Sequence, residues 1–103
     1  MPRTYSEKFL RALSEADPGS AGVSLGRLCV DANLPAAYVS RALQVSRMTV
    51  YSWFRGRSVN ERNLKTIDAF SKLVEEDMKN GVLPAKNLKD AKRYLEEMAG
   101  ITL

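Results

Sequence analysis

The stretch Val39-Ser40-Arg41-Ala42-Leu43-Gln44-Val45-Ser46-Arg47-Met48-Thr49-Val50-Tyr51-Ser52-Trp53-Phe54-Arg55-Gly56-Arg57 decides the reading of this chain. Apolar residues recur at helical spacing on both sides of a three-residue interruption, Gln44-Val45-Ser46. A helix over about 35–43 presents Val39, Ala42 and Leu43 to a core. A second, over about 46–55, buries Val50, Trp53 and Phe54, and Gly56 closes it. The outward side of that second helix is then Arg47, Met48, Tyr51, Ser52 and Arg55.

Outward from there the periodicity stays helical, and no stretch alternates like a half-buried strand, so the fold class is all-α with five to six helices. Thr4-x-x-Glu7 fits a capping box opening a first helix, with Tyr5, Phe9, Leu13 and Ala16 on one face. Asp17-Pro18-Gly19-Ser20 stops it. A helix over about 22–32 places Leu25, Leu28, Cys29 and Ala32 inward. Asn33 suits a left-handed cap, and Pro35 suits the first turn of the helix that follows. Ser58 and Asn60 compete to cap a long helix marked by Leu64, Ile67, Phe70, Val74 and Met78, which ends at Asn80-Gly81. A last helix over about 85–99 sets Leu88, Ala91, Leu95 and Met98 at 3-4-3 spacing, a narrow seam that folds back on the core or pairs with a second chain. This divides the chain into an N-terminal helix and linker (1–21), a core (22–80) and a C-terminal helix (81–103).

Composition narrows the chemistry. Of 103 residues 45% are apolar and 27% charged, as in ordinary soluble domains. There is no histidine, and Cys29 is the only cysteine. One thiol without histidine builds neither a disulfide nor a Cys/His zinc site, and no Ser-His or Cys-His nucleophile pair can form. The expectation is a protein that is not an enzyme and carries no cofactor, with Cys29 as a core thiol. The runs Glu75-Glu76-Asp77 and Glu96-Glu97 read as solvated faces, because consecutive helical residues point in different directions. No apolar run is long enough to span a membrane, and the start of the chain has no signal-peptide core; a cytoplasmic protein is expected.

Charge is focused rather than scattered. Residues 1–35 balance to zero, residues 67–103 sum to −1, and residues 36–66 carry +5, which accounts for the net charge of +4. The central cations are Arg41, Arg47, Arg55, Arg57, Arg62 and Lys65, against Glu61 alone. Such focusing is what binding a polyanion by counterion release requires. Arg41 and Arg62 also fit ordinary solvated charges.

Two short helices joined by a three-residue turn form a helix-turn-helix unit. Leu34 before a short helix, then Leu43-x-Val45-Ser46, then Thr49-Val50-x-x-Trp53, then Arg55-Gly56, resemble the lambda-repressor and Cro-like helix-turn-helix family. The resemblance runs from Leu25 to about Leu73, close to half the chain. Ser40 stands where the family usually has alanine. Gln44 stands where it usually has glycine, implying left-handed backbone or a somewhat different turn. The resemblance implies a lambda-repressor-like bundle with an added C-terminal helix, acting as a transcriptional regulator of phage or prokaryotic type that binds double-stranded DNA as a homodimer. It places the segment 46–56 in the major groove, with Arg47, Met48, Tyr51 and Ser52 at base edges. Arginine suits a bidentate contact to guanine, and Met48 and Tyr51 suit a thymine methyl. Tyr51 equally suits packing on a neighbouring helix. Ser46, Thr49, Arg55 and Arg57 fall to phosphates, as do the amides near Ala36 and Tyr38. Leu88, Ala91, Leu95 and Met98 are the candidate dimer interface. No small-molecule effector is indicated. The rival reading is a protein-interaction module, antitoxin-like or docking on a polymerase or nuclease, which leaves the +5 central third unexplained.

Overall fold

The structure is a computed structural model that describes residues 5–15 and 19–100. Its described residues form six α-helices and no strand: α1 (Glu7–Glu15), α2 (Ala21–Asp31), α3 (Ala36–Ala42), α4 (Arg47–Phe54), α5 (Glu61–Lys79) and α6 (Leu88–Ala99). No helix among them is long and apolar enough to cross a membrane.

The helix starts are set by short polar side chains that accept a backbone N–H of the first turn, satisfying donors the helix itself cannot. Ser20, Ser46, Asn60 and Asn87 do this for α2, α4, α5 and α6. Asn60, not Ser58, is thus the cap of α5, its Oδ1 accepting from Asn63 N at 2.9 Å. At α1 it is Ser6 Oγ that accepts, from Phe9 N at 3.1 Å; Thr4, Ala16 and the Asp17-Pro18 stop lie outside the described residues. Pro35 sits one residue ahead of α3, in extended conformation, rather than in its first turn. The start of α6 moves from the expected Ala85 to Leu88, because Ala85 is occupied elsewhere. Its N–H donates to Ala32 O (2.9 Å) and its carbonyl accepts from Asn33 Nδ2 (2.8 Å), strapping the loop before α6 onto the end of α2.

Four successive helices end in the same way. After α2, α3, α4 and α5, residues Asn33, Gln44, Gly56 and Gly81 take positive φ. In each case the next residue's N–H reaches back five positions: Leu34 to Cys29 O, Val45 to Ser40 O, Arg57 to Ser52 O and Val82 to Asp77 O, at 2.8–3.0 Å. This closure satisfies carbonyls at the helix end and suits glycine or asparagine at its left-handed position. Gln44 adopts it nonetheless, with φ 59°. Of the two alternatives at this turn, the structure takes the left-handed backbone.

The core forms where α2 meets α4 and α5, and α3 meets α4 and α6. Leu25, Cys29, Leu34, Val39, Val50, Phe54, Val74 and Leu95 are among its fully buried members. The crossing of α2 and α4 depends on small residues. A Cβ on Gly22 would stand 2.3 Å from Trp53 O, and one on Gly26 would stand 2.9 Å from the Phe54 ring. Cys29 is buried, as expected of a core thiol, and burial pushes its titration far above the ordinary thiol range.

The seam of α6 resolves toward the core. Ala91 and Leu95 are fully buried inside the chain, Met98 is half-buried, and Leu88, the first residue of the helix, is 54% exposed. The inner two of the four thus belong to the core of the chain itself. Leu64 also departs from its expected inward place on α5, at 37% exposed.

Candidate nucleic-acid interface

Helix α4 lies with Val50, Trp53 and Phe54 buried and its opposite side bare. Its footing is aromatic. Phe9 of α1 stacks on Tyr5 (centroids 5.3 Å apart) and meets Phe54 at 6.1 Å. Tyr51 meets Phe9 edge-on at 5.4 Å and Phe54 at 6.2 Å. Such pairs hold ring orientation as well as burying area. Tyr5 also donates its hydroxyl proton to Leu34 O at 2.7 Å, tying the start of α1 to the loop before α3. Burial, then the nearby Cys29 and Tyr51, push that hydroxyl far above its ordinary range, so it stays a donor.

The outward residues divide into three groups. Arg47, Met48, Arg55 and Arg57 project into solvent, Met48 most of all at 82% exposed. An unbranched thioether held out in water buries nothing, so packing does not account for its position. Ser46, Thr49 and Ser52 are engaged with α4 itself. Ser46 Oγ accepts from Thr49 N (3.0 Å) and lies 2.8 Å from Thr49 Oγ1, while Ser52 Oγ donates to Thr49 O at 2.7 Å. Ser46 is still exposed, whereas Thr49 and Ser52 are half-buried. Tyr51 packs as well as being part-exposed: its half-buried ring belongs to the aromatic group that joins α4 to α1. At the start of α3, Ala36 is buried and the Tyr38 N–H already bonds Pro35 O at 3.1 Å, so neither is presented to an anion.

All six central cations, Arg41, Arg47, Arg55, Arg57, Arg62 and Lys65, are exposed. Their positions run from the end of α3, through both ends of α4, to the first turns of α5. Of the carboxylate runs, Glu75, Glu76 and Glu97 are exposed and Glu96 is half-buried; Asp77, half-buried, accepts the Tyr94 hydroxyl at 2.5 Å beside a hollow that Glu97 also lines. Among the described residues no group of three or more potential metal-ligating side chains comes together.

The aromatic footing is not visible as a unit in the sequence. Tyr5 and Phe9 share one face of α1 by their spacing, but nothing in that spacing says that this face meets α4. The Tyr94–Asp77 and Asn33–Ala85 links escape sequence reasoning for the same cause, since their partners are 17 and 52 residues apart. Compared with family models, with curated proteins and with solved structures, the chain gives no match.

Proposed function

We propose that the chain is a sequence-specific double-stranded DNA-binding regulator of transcription, of the lambda-repressor and Cro-like helix-turn-helix kind, with α4 in the major groove. The observation that carries this reading is the exposure of all six central cations, three of them on α4 or directly after it, while the inner side of α4 is buried. A short helix packed on one side and carrying cations on and after it suits the width of the major groove and complements the charge of the duplex. Arg47 and Met48 are the base-reading pair, at the first turn of α4. Arg47 offers a bidentate contact to guanine, and Met48 an apolar contact to a thymine methyl. Arg55 and Arg57, with the exposed hydroxyl of Ser46, hold phosphates and set the register. Ser52 and Thr49 contribute at most from half-buried positions, and Tyr51 helps to hold α4 in place. Two copies on one operator would place their α4 helices about 34 Å apart, one turn of duplex.

Selection of bound sequences from random duplex DNA tests this directly. The expected result is a defined motif, with guanine at a position whose preference is lost in Arg47→Ala. Recovery of no enriched motif, or one unchanged by Arg47→Ala and Met48→Ala alike, would overturn the placement.

A further inference from the structure

The side of α6 turned away from the core carries charges of alternating sign. Lys86, just ahead of the helix, and Asp90, Arg93 and Glu97 line one groove with Val82 and Tyr94. Positions 90, 93 and 97 fall on a single helical stripe. Lys86, Arg93 and Glu97 are exposed and Asp90 half-buried. Among the described residues, no ion pair within the chain uses any of the four. Beside them, Val82 is 59% and Leu73 50% exposed, and both line the adjoining hollow with half-buried Met98.

Along this stripe the order is plus, minus, plus, minus, with Lys89, Lys92 and Glu96 lying off it. A second copy of the stripe, turned end over end about a two-fold axis, reads minus, plus, minus, plus. Lys86 then faces Glu97 of the other copy, and Asp90 faces its Arg93, so each of the four meets its opposite. A patch that touches itself across a two-fold axis must be self-complementary in this way. A patch of one sign would repel its copy. The apolar groups Val82, Leu73 and Met98 flank the stripe and supply surface that association removes from water.

We propose that this face of α6, and not the Leu88–Met98 seam, joins two copies of the chain in an antiparallel contact centred between Asp90 and Arg93. It deepens the homodimer of the functional reading above, but depends only on α6 and its neighbours, so it is tested without DNA.

Sedimentation velocity at low salt compares the parent with Arg93→Glu, with Asp90→Arg, and with an equimolar mixture of the two single variants; circular dichroism and thermal unfolding check that each is folded. The parent is expected to sediment as a concentration-dependent dimer. Each single variant sets two like-charge pairs across the axis and should raise the dissociation constant roughly tenfold or more, because two attractions become repulsions. In the mixture, the two central acidic groups of the Arg93→Glu chain meet the two central basic groups of the Asp90→Arg chain, and a heterodimer should form. Added salt should weaken the parent dimer. A parent that stays monomeric, folded single variants that dimerise as the parent does, or a mixture that fails to associate would each overturn the proposal. Because DNA is absent throughout, loss of this contact is distinguishable from failure of the DNA-binding reading.

Discussion

The outer sides of α4 and α6 are both exposed and charged, yet they differ in kind. Around α4 the charges are of one sign: Arg47 on the helix, with Arg55 and Arg57 directly after it, all exposed. Along α6 the signs cancel, and on the stripe of Lys86, Asp90, Arg93 and Glu97 they alternate. A face of one sign raises the local potential and attracts a polyanion, whereas an alternating face produces little field at a distance and recognises a pattern at contact. The undersides differ as well. Helix α4 rests on Trp53, Phe54 and an aromatic group shared with α1, while α6 is held by Ala91 and Leu95 and by the Tyr94–Asp77 link. Net charge alone would have described neither face; its arrangement on a fixed helix separates them.

The largest expected effect comes from removing the footing of α4. Phe54 is fully buried among Phe9, Tyr51 and the close approach of Gly26. Phe54→Ala should lower stability by about 3–5 kcal/mol, read by denaturant unfolding. Since both faces depend on one core, it should weaken DNA binding and self-association together. Next comes Arg47→Ala, which should cost about 1–3 kcal/mol of discrimination at a single base pair and leave sedimentation unchanged. A loss of association in that variant would erase the distinction between the faces.

Gln44→Gly acts on the turn that sets α4 relative to α3. Relief of a left-handed non-glycine residue should raise stability by about 1 kcal/mol, measured as a shift in the denaturant midpoint without a change in slope. A decrease would mean that the glutamine side chain contributes more than its backbone costs. The smallest effect belongs to Arg55→Ala. All duplex sequences should weaken alike, with the salt dependence reduced by about one phosphate contact.

Much of this was legible in the sequence because it is local. The Gln44-Val45-Ser46 break, the cap at Ser46 and the inward set Val50, Trp53 and Phe54 follow from spacing and side-chain chemistry within a dozen residues. What was not legible depends on what comes to lie alongside. Periodicity marks an apolar seam on α6 but cannot say whether its partner is the same chain; Ala91 and Leu95 turn out to complete the core, and Leu88 is left outside. Ala85 reads as helix because nothing local reveals that Ala32 and Asn33 need its backbone groups. Tyr51 is balanced between solvent and packing, and its packing shows only once Phe9, 42 residues earlier, is in place. Gly22 gives no sign that the Trp53 backbone passes against it.

The DNA-binding reading is tested most directly by the salt dependence of duplex affinity, with the parent and a quadruple variant lacking Arg47, Arg55, Arg57 and Arg62 measured side by side. Each neutralised phosphate contributes about −0.9 to the slope of log affinity against log salt, so with Arg55 and Arg57 of two bound copies on phosphates a parent slope steeper than about −3 is expected, nearly abolished in the variant. A flat line for the parent, or equal slopes for both proteins, would contradict the placement of DNA on α4.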